Sequence, residues 1–210
     1  GAAARPVTGN EARECRASAA GYDWIVLHPC CQLPGDCGTG AVAEQEYGYY
    51  CNSDQSTRMN ILLVNPNTTV SMTDRMAIAA RAVAAPGVQV TAATAAYGPP
   101  SIEGYYDEVF SVPPMLDAVM PLAGSIDGVV LGCFDDTGVD ALRTMLDVPV
   151  IGICQAAMQT AAILANSFSV VTTLERSVPA LEKLALVYGF ERRCRKIRAA
   201  EVAVLDLEEA

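Results

Sequence analysis

The sequence contains little histidine, few basic residues and no long hydrophobic run. Its only histidine, His28, and its only tryptophan, Trp24, both lie before Met59. No apolar run approaches the length of a membrane span, so we expect no membrane partner. The net charge of −10 argues against a nucleic-acid partner, because binding to phosphates requires a basic surface. No charged start leads into a hydrophobic segment, so no signal peptide is indicated and we expect a cytoplasmic protein.

Motifs that hold common cofactors are also absent. The sequence has no phosphate loop, no dinucleotide fingerprint and no HExxH motif, so we expect no cofactor. Five of its eight cysteines crowd into the first quarter of the chain, which is unlike the even spacing of a disulfide scaffold. Cys30, Cys31 and Cys37 could in principle bind a metal with His28, but their spacing matches no regular zinc pattern. We therefore expect no metal site.

A regular pattern begins at Met59, which we interpret as a natural start after an N-terminal extension of unknown role, residues 1–58. An ordered accessory segment is the alternative, and residues 22–27 could form one strand in it. Within residues 59–210, strands alternate with helices, which predicts an α/β fold with a parallel sheet. The predicted strands are 60–65, 88–93, 126–132, 148–153 and 168–172, and the main predicted helices are 71–84, 105–123, 139–146, 156–165 and 178–188.

Three predicted strand ends carry groups suited to chemistry. They are the amide-rich turn 65–68, the Gly132-Cys133-Phe134 segment and the Thr172-Thr173 pair. Ligands of parallel α/β sheets bind beyond the carboxyl ends of the strands, so these groups should share one crevice. A cysteine between a strand and a helix N-terminus is also placed where a thiolate is favoured. Cys133 could equally be a small buried hydrophobe on position alone, but the convergence favours function.

The chemistry available to Cys133 is limited by the absence of histidine after Met59. A cysteine that is acylated needs a histidine to accept and return its proton. Cys133 is therefore better suited to remove a proton from a carbon that neighbouring carbonyls have acidified. Hydrogen-bond donors would stabilise the resulting enolate. The candidate donors are the backbone amides and the side chains of Asn65, Asn67, Thr68, Thr172 and Thr173.

Structural roles compete with functional roles at several positions. Asn65 and Asn67 flank a proline and could serve only to shape the turn. Asp135 and Asp136 are expected to cap the helix that follows Cys133, and a nearby carboxylate would raise the pKa of the thiol. Further expectations are a capping box at Ser71 and Asp74, a helix cap at Thr173, a surface position for Cys194 and, as the less favoured role, a pocket contact by Cys154.

Together, several of these stretches resemble the Asp/Glu/hydantoin racemase family, and within it the hydantoin racemases most closely. The resemblance runs from Met59 to about Glu208 and does not cover residues 1–58. Several separate motifs in the same order make it specific. The matching stretches are Asn65-Pro66-Asn67-Thr68-Thr69, Ser101-Ile102-Glu103-Gly104, Gly132-Cys133-Phe134-Asp135, Val148-Pro149-Val150-Ile151-Gly152 and 168–173.

The resemblance implies two pseudo-symmetric Rossmann-like lobes with the active site between them. Each lobe would contribute one cysteine, so that one thiolate removes a proton and the opposite thiol returns one, without a cofactor. The substrate would be a 5-monosubstituted hydantoin or a related amino-acid derivative, and the protein would be a homo-oligomer. Cys133 matches the first-lobe cysteine, and Asn67, Thr172 and Thr173 match positions that the family uses around the substrate. Phe134, next to Cys133, is a further predicted substrate-binding residue.

One departure from the family pattern concerns the second cysteine. The family places it after a further strand beyond Ala210, and neither Cys154 nor Cys194 stands at that position. We therefore expect a chain truncated at its C-terminus, with an incomplete second lobe. Residues 22–27 followed by Cys30-Cys31 faintly resemble the missing unit. Maleate isomerisation, arylmalonate decarboxylation and a non-catalytic binding module remain alternative functions.

Overall fold

The computed structural model describes residues 15–19, 22–26 and 58–208 of the chain. Two compact units are present, residues 1–51 and residues 52–210. In the first unit, β1 (Cys15–Ala19) pairs with β2 (Tyr22–Val26) as an antiparallel ribbon. β2 falls within the strand predicted at residues 22–27. The hypotheses on His28 and the cysteines at 30, 31 and 37 lie outside the described residues.

The second unit alternates strands and helices, as the sequence predicts. Short 3₁₀ turns at Met120–Ser125, Glu175–Ser177 and Leu205–Glu208 supplement the main elements. The main elements are β3 (Met59–Asn65), α1 (Val70–Val83), β4 (Val88–Thr94), α2 (Tyr105–Val119), β5 (Gly128–Leu131), α3 (Val139–Met145), β6 (Val150–Gly152), α4 (Ile153–Leu164), β7 (Phe168–Thr172), α5 (Val178–Val187) and β8 (Cys194–Ala199).

The strands of the second unit form two parallel sheets. The larger sheet has the order β4-β3-β5-β6, with every neighbouring pair parallel. The smaller sheet pairs β7 with β8, also in parallel. Parallel pairing requires a crossover between strands, and α1, α2, α3 and α5 supply these crossovers, while α4 connects the two sheets. The α/β class with parallel sheets is therefore confirmed.

Two separate hydrophobic clusters lie under the two sheets. The first surrounds β3 and β5 and includes the fully buried Leu62, Leu131 and Leu142. The second lies between the smaller sheet and helices α4 and α5, around Met158 and Leu181. Central parallel strands are covered on both faces, so the continuous apolar run of β3 reads as a buried strand.

Several local predictions are wrong in an informative way. The predicted capping box at Ser71 and Asp74 is replaced by Thr69 at the N-cap of α1, and no side chain caps this helix. Helix α4 begins at Ile153, three residues before its predicted start. The sequence also gave no indication of β8, because charged residues occupy half of it. In this edge strand, Cys194, which was expected at the surface, is half-buried and packs against the second cluster.

The helices in the described part of the chain include none that could span a membrane. None of the helices there combines the length and the apolar character that a bilayer crossing requires.

Candidate active site

A cavity of about 590 Å³ opens where strands of both sheets end. Asn65 lies at the carboxyl end of β3, Cys133 follows β5, and Thr172 lies at the carboxyl end of β7. All three line the cavity. The cavity is therefore built from both sheets, at the edge where parallel α/β proteins bind ligands.

Six of the seven residues that the sequence analysis assigns to the site meet in this cavity. They are Asn65, Asn67, Cys133, Phe134, Thr172 and Thr173. Thr68 is not among the lining residues. Its backbone N–H and its hydroxyl both donate to the carbonyl oxygen of Pro99, at 3.1 and 3.4 Å. Thr68 therefore fastens the turn after β3 to the 97–104 loop.

Asn65 has the structural role that was its alternative interpretation. Its side chain is fully buried, and its amide nitrogen donates to Asn67 Oδ1 at 2.8 Å and to Thr73 Oγ1 at 3.0 Å. Its own Oδ1 accepts the backbone N–H of Asn67 at 3.1 Å. Such a side chain holds the turn in one shape, because buried polar groups require partners.

Asn67 is held so that its amide nitrogen remains available as a donor. Its Oδ1 accepts from Asn65 Nδ2 at 2.8 Å and from the backbone N–H of Thr69 at 2.9 Å, which fixes the orientation of the amide. Its Nδ2 contacts the sulfur of Met72 at 3.6 Å, and a thioether is a weak acceptor. Asn67 can therefore donate to a ligand oxygen without giving up a strong bond.

The Cys133 thiol is part-buried and lies 3.6 Å from Thr137 Oγ1. Burial raises the pKa of this thiol to about 12, and the nearby charge of Asp135 raises it further, as the sequence analysis expected. Hydrogen bonds from the loop that follows oppose this increase only in part. The expectation of a thiolate favoured by a helix N-terminus is wrong, because α3 begins only at Val139, six residues beyond the cysteine.

Asp135 lines the cavity beside Cys133, and its carboxyl group is buried with one oxygen that has no hydrogen-bond partner in the described part of the chain. Burial raises its pKa to about 7, and the negative charges of Glu108 and Asp136 add to the effect. Among the described residues, Asp135 Oδ2 and Glu108 Oε1 are buried oxygens without a hydrogen-bond partner. Burial also raises the pKa of Glu108. Two such carboxyl groups resist ionising together.

Asp136 caps a helix other than the one predicted. Its carboxylate accepts the backbone N–H groups of Cys154 and Gln155, both at 2.9 Å, and the hydroxyl of Tyr188 at 2.7 Å. It thereby satisfies the first turn of α4. No side chain caps α3, whose N-cap residue is Gly138, so the prediction that Asp135 and Asp136 cap that helix is wrong.

The wall of the cavity is largely apolar, and most of its residues were not predicted from the sequence. Met72 and Met76, one turn apart on α1, line one side together with Arg75. Their helical spacing directly after the turn 65–69 was the signal available in the sequence. The segment after β8 was overlooked altogether. Its contribution to the lining consists of Ala200, Val202, Val204 and Leu207.

The other predicted roles near the site are not found. Cys154 is fully buried in the second cluster and, like Cys194, does not line the cavity. The 3₁₀ turn after β7 has Leu174 at its N-cap, so Thr173 does not cap it. Within residues 58–208, no three acidic, cysteine or histidine side chains come together as metal ligands would.

This α/β protein presents a thiol, an amide donor and hydroxyls to one largely apolar cavity at the ends of its parallel strands. A family model described as Asp/Glu/Hydantoin racemase matches residues 61–210. The chain therefore belongs to the Asp/Glu/hydantoin racemase family.

Individual relatives agree with this assignment. The chain is 48% identical over 152 residues to a hydantoin racemase of Rhizobium meliloti, covering 72% of the chain and 63% of that protein. It is 39% identical over 151 residues to a hydantoin racemase of Pseudomonas sp. (strain NS671), covering 71% and 61%. The structure resembles an allantoin racemase from Klebsiella pneumoniae with a TM-score of 0.70 and 40% identity, covering 72% and 62%. The chain thus spans less than two thirds of the length of these relatives.

Proposed function

We propose that this chain provides the first thiol of a cofactor-independent racemase for 5-monosubstituted hydantoins. The observation that supports this most directly is the meeting of Cys133, Asn67 and Thr172 at one cavity between the strand ends. The relatives named hydantoin racemase and allantoin racemase support the same class of substrate, because both ligands are cyclic ureides.

In the proposed reaction, the Cys133 thiolate removes the proton from C5 of the ring. The electron pair of the broken C–H bond moves into the adjacent carbonyl, which becomes an enolate oxygen. In this reaction Asn67 Nδ2 donates a hydrogen bond to that oxygen, and the hydroxyls of Thr172 and Thr173 are further donors. The fixed orientation of the Asn67 amide and the position of all three residues at the cavity support this role. Racemisation is completed when an acid on the opposite face returns a proton to C5.

The raised pKa of Cys133 has two opposing effects on this step. At pH 8, a thiol with a pKa of about 12 is ionised in about one molecule in 10⁴. The rare thiolate is, however, a strong base, and the driving force for proton transfer from carbon is correspondingly larger. Because so little of Cys133 is in the thiolate form, the residue reacts slowly with oxidants and alkylating agents.

The proposed reaction also requires a second acid that returns the proton to the opposite face of C5. The family resemblance assigns this role to a second cysteine. Neither Cys154 nor Cys194 lines the cavity, so neither is a candidate. A chain that supplies only the first thiol still exchanges the C5 hydrogen with solvent, because removal and return on the same face need a single base.

The apolar wall favours a hydrocarbon substituent at C5 of the ring. Met72, Met76, Val202 and Leu207 offer methyl and thioether groups and no hydrogen-bond donors from their side chains. A benzyl or isobutyl group gains free energy there by leaving water, whereas the ureido group of allantoin loses hydrogen bonds to water. We therefore expect 5-benzylhydantoin to be bound in preference to allantoin.

Hydrogen exchange at C5 tests the proposal. D- and L-5-benzylhydantoin are incubated separately with the full chain in D₂O at neutral pD, and loss of the C5–H signal is followed by NMR, because a single thiol reaches the C5–H of only one enantiomer. We expect exchange above the buffer rate, and at least a 100-fold loss of that excess in Cys133→Ser. Cys194→Ser, which removes a thiol outside the cavity, serves as the matched control and should exchange as the wild type does.

Three results would contradict the proposal. Exchange at the wild-type rate in Cys133→Ser would remove the thiol from the reaction. Binding of the hydantoin by calorimetry without exchange above buffer would indicate a non-catalytic module. Release of CO₂ from an arylmalonate, or isomerisation of maleate, in the absence of C5 exchange would favour the alternative reactions.

A further inference from the structure

Glu103 is a buried carboxylate that joins three segments of the chain. It lies in the loop between β4 and α2, and only 8% of its surface is exposed. Its Oε2 forms an ion pair with the Arg176 guanidinium. Its Oε1 accepts the backbone N–H of Val204 at 3.0 Å, and its carbonyl oxygen accepts the Ser177 hydroxyl at 3.1 Å.

Each segment that Glu103 joins contributes to the wall of the cavity. Ile102 precedes it in the loop, Thr173 lies just before the turn that carries Arg176, and Val204 belongs to the segment after β8. Glu103 itself is not among the lining residues, so its bonds act from behind the wall. The loop belongs to the larger sheet, whereas the other two segments continue from the smaller one.

The segment after β8 depends on few other contacts. It has no strand neighbour beyond β8, and its backbone N–H groups are paired near its start, with Ala200 donating to Thr172 O at 2.9 Å and Val202 to Thr173 O at 3.2 Å. Among the described residues 204–208, the hydrogen bond that reaches another part of the chain is the one from the Val204 N–H to Glu103, and the others are local bonds of the 3₁₀ turn.

We propose that Glu103 is a positioning residue that holds the 200–207 segment against the cavity and so controls access to Cys133. The carboxylate suits this task because one oxygen takes the backbone N–H while the other is neutralised by arginine. A buried carboxylate without such a partner would be costly, and the guanidinium makes the arrangement stable. The inference concerns the assembly of the cavity and does not depend on the proposed function.

Alkylation of Cys133 by iodoacetamide tests this inference without any turnover. Tryptic cleavage after Arg81 and Arg143 yields peptide 82–143, whose only cysteine is Cys133, so its modification can be read by mass spectrometry. We expect Glu103→Ala to be alkylated at least tenfold faster than the wild type at a fixed pH of 9, because the 200–207 segment is released.

Two conservative variants separate the hydrogen bond from the charge. Glu103→Gln removes the same charge as the alanine variant but retains an oxygen for the Val204 N–H, so alkylation should stay within threefold of the wild type. Arg176→Lys keeps a positive charge beside the carboxylate and leaves the Val204 bond in place, and the same limit is expected. Asp117→Asn is the matched control, since Asp117 bonds Tyr97 beside the same loop but does not reach the smaller sheet.

A second variant keeps the test decisive if the alanine variant does not fold. Val204→Pro removes the backbone N–H without touching Glu103, in a segment outside any helix or strand. It should also be alkylated at least tenfold faster. Wild-type rates in a folded Glu103→Ala, or in Val204→Pro, would overturn the inference, as would equal acceleration in Glu103→Gln and Glu103→Ala.

Discussion

Replacing Asp135 with asparagine should stabilise the protein at alkaline pH. The folded protein raises the pKa of this carboxyl from its ordinary value of 3.8 to about 7, chiefly through burial. The unfolded chain releases the proton more readily than the folded chain does. The stability that the neutral carboxyl supports is fully present below about pH 4 and is lost as the pH rises through 7.

The size of the effect follows from these two pKa values. Their difference of about three corresponds to about 4 kcal/mol between the folded and unfolded states once both are ionised. At pH 5 the unfolded chain is ionised and the folded chain is not, which corresponds to about 2 kcal/mol. The stability advantage of Asp135→Asn over the wild type should therefore grow by about 2 kcal/mol between pH 5 and pH 8.

Urea unfolding followed by far-UV circular dichroism measures this difference at both pH values. The comparison between variant and wild type cancels the titration of the groups that do not interact with Asp135. Asp140→Asn is the matched control: the Asp140 side chain is 97% exposed and forms only a surface ion pair with Arg143. Its effect should stay within about 0.5 kcal/mol at both pH values.

A constant difference between Asp135→Asn and the wild type from pH 5 to pH 8 would refute this reasoning. A variant less stable than the wild type at pH 8 would refute it too, because the carboxylate would then be favourably paired. The same substitution should speed alkylation of Cys133 at pH 8, since the charge of Asp135 contributes to the raised pKa of the thiol.

Two further substitutions test the contacts around Asp136. Asp136→Ala should lower the free energy of unfolding by about 2 kcal/mol in urea titrations, because two backbone N–H groups of α4 and the Tyr188 hydroxyl lose their acceptor. A loss below about 0.5 kcal/mol would show that water replaces the carboxylate. Gly152→Ala should unfold at least 4 °C lower in a thermal melt, because a Cβ there would overlap the Asp136 carboxylate, and an unchanged midpoint would contradict this packing.

The sequence was sufficient for those parts of the fold that depend on local patterns. The apolar runs of β3 and β5 and the glycine-proline stops between elements are features of neighbouring residues, so strand ends could be located within a few positions. Because parallel strands of one sheet end at one edge, the meeting of Asn67 and Cys133 could be predicted as well, whereas Thr172 reaches the same cavity from the smaller sheet. This reasoning needed no knowledge of distant contacts.

The parts that failed depend on contacts between distant segments. Asp136 lies three residues before the start of α3, where the sequence predicts a cap for that helix. The partners of its carboxylate nevertheless lie 18, 19 and 52 residues away. The wall segment around Val204 has no periodicity of its own and is fixed by Glu103, 101 residues away. Neither relationship leaves a local trace in the sequence.

The bonds of Asp136 also set a limit on protein engineering. Through the Asp136 carboxylate, the loop that carries Cys133 is bonded to the start of one later helix and to the end of another. If residues 126–145 were grafted onto a different scaffold, the Asp136 carboxylate would therefore lack its hydrogen-bond donors. A transferable version would have to include the opening turn of α4 and an equivalent of Tyr188.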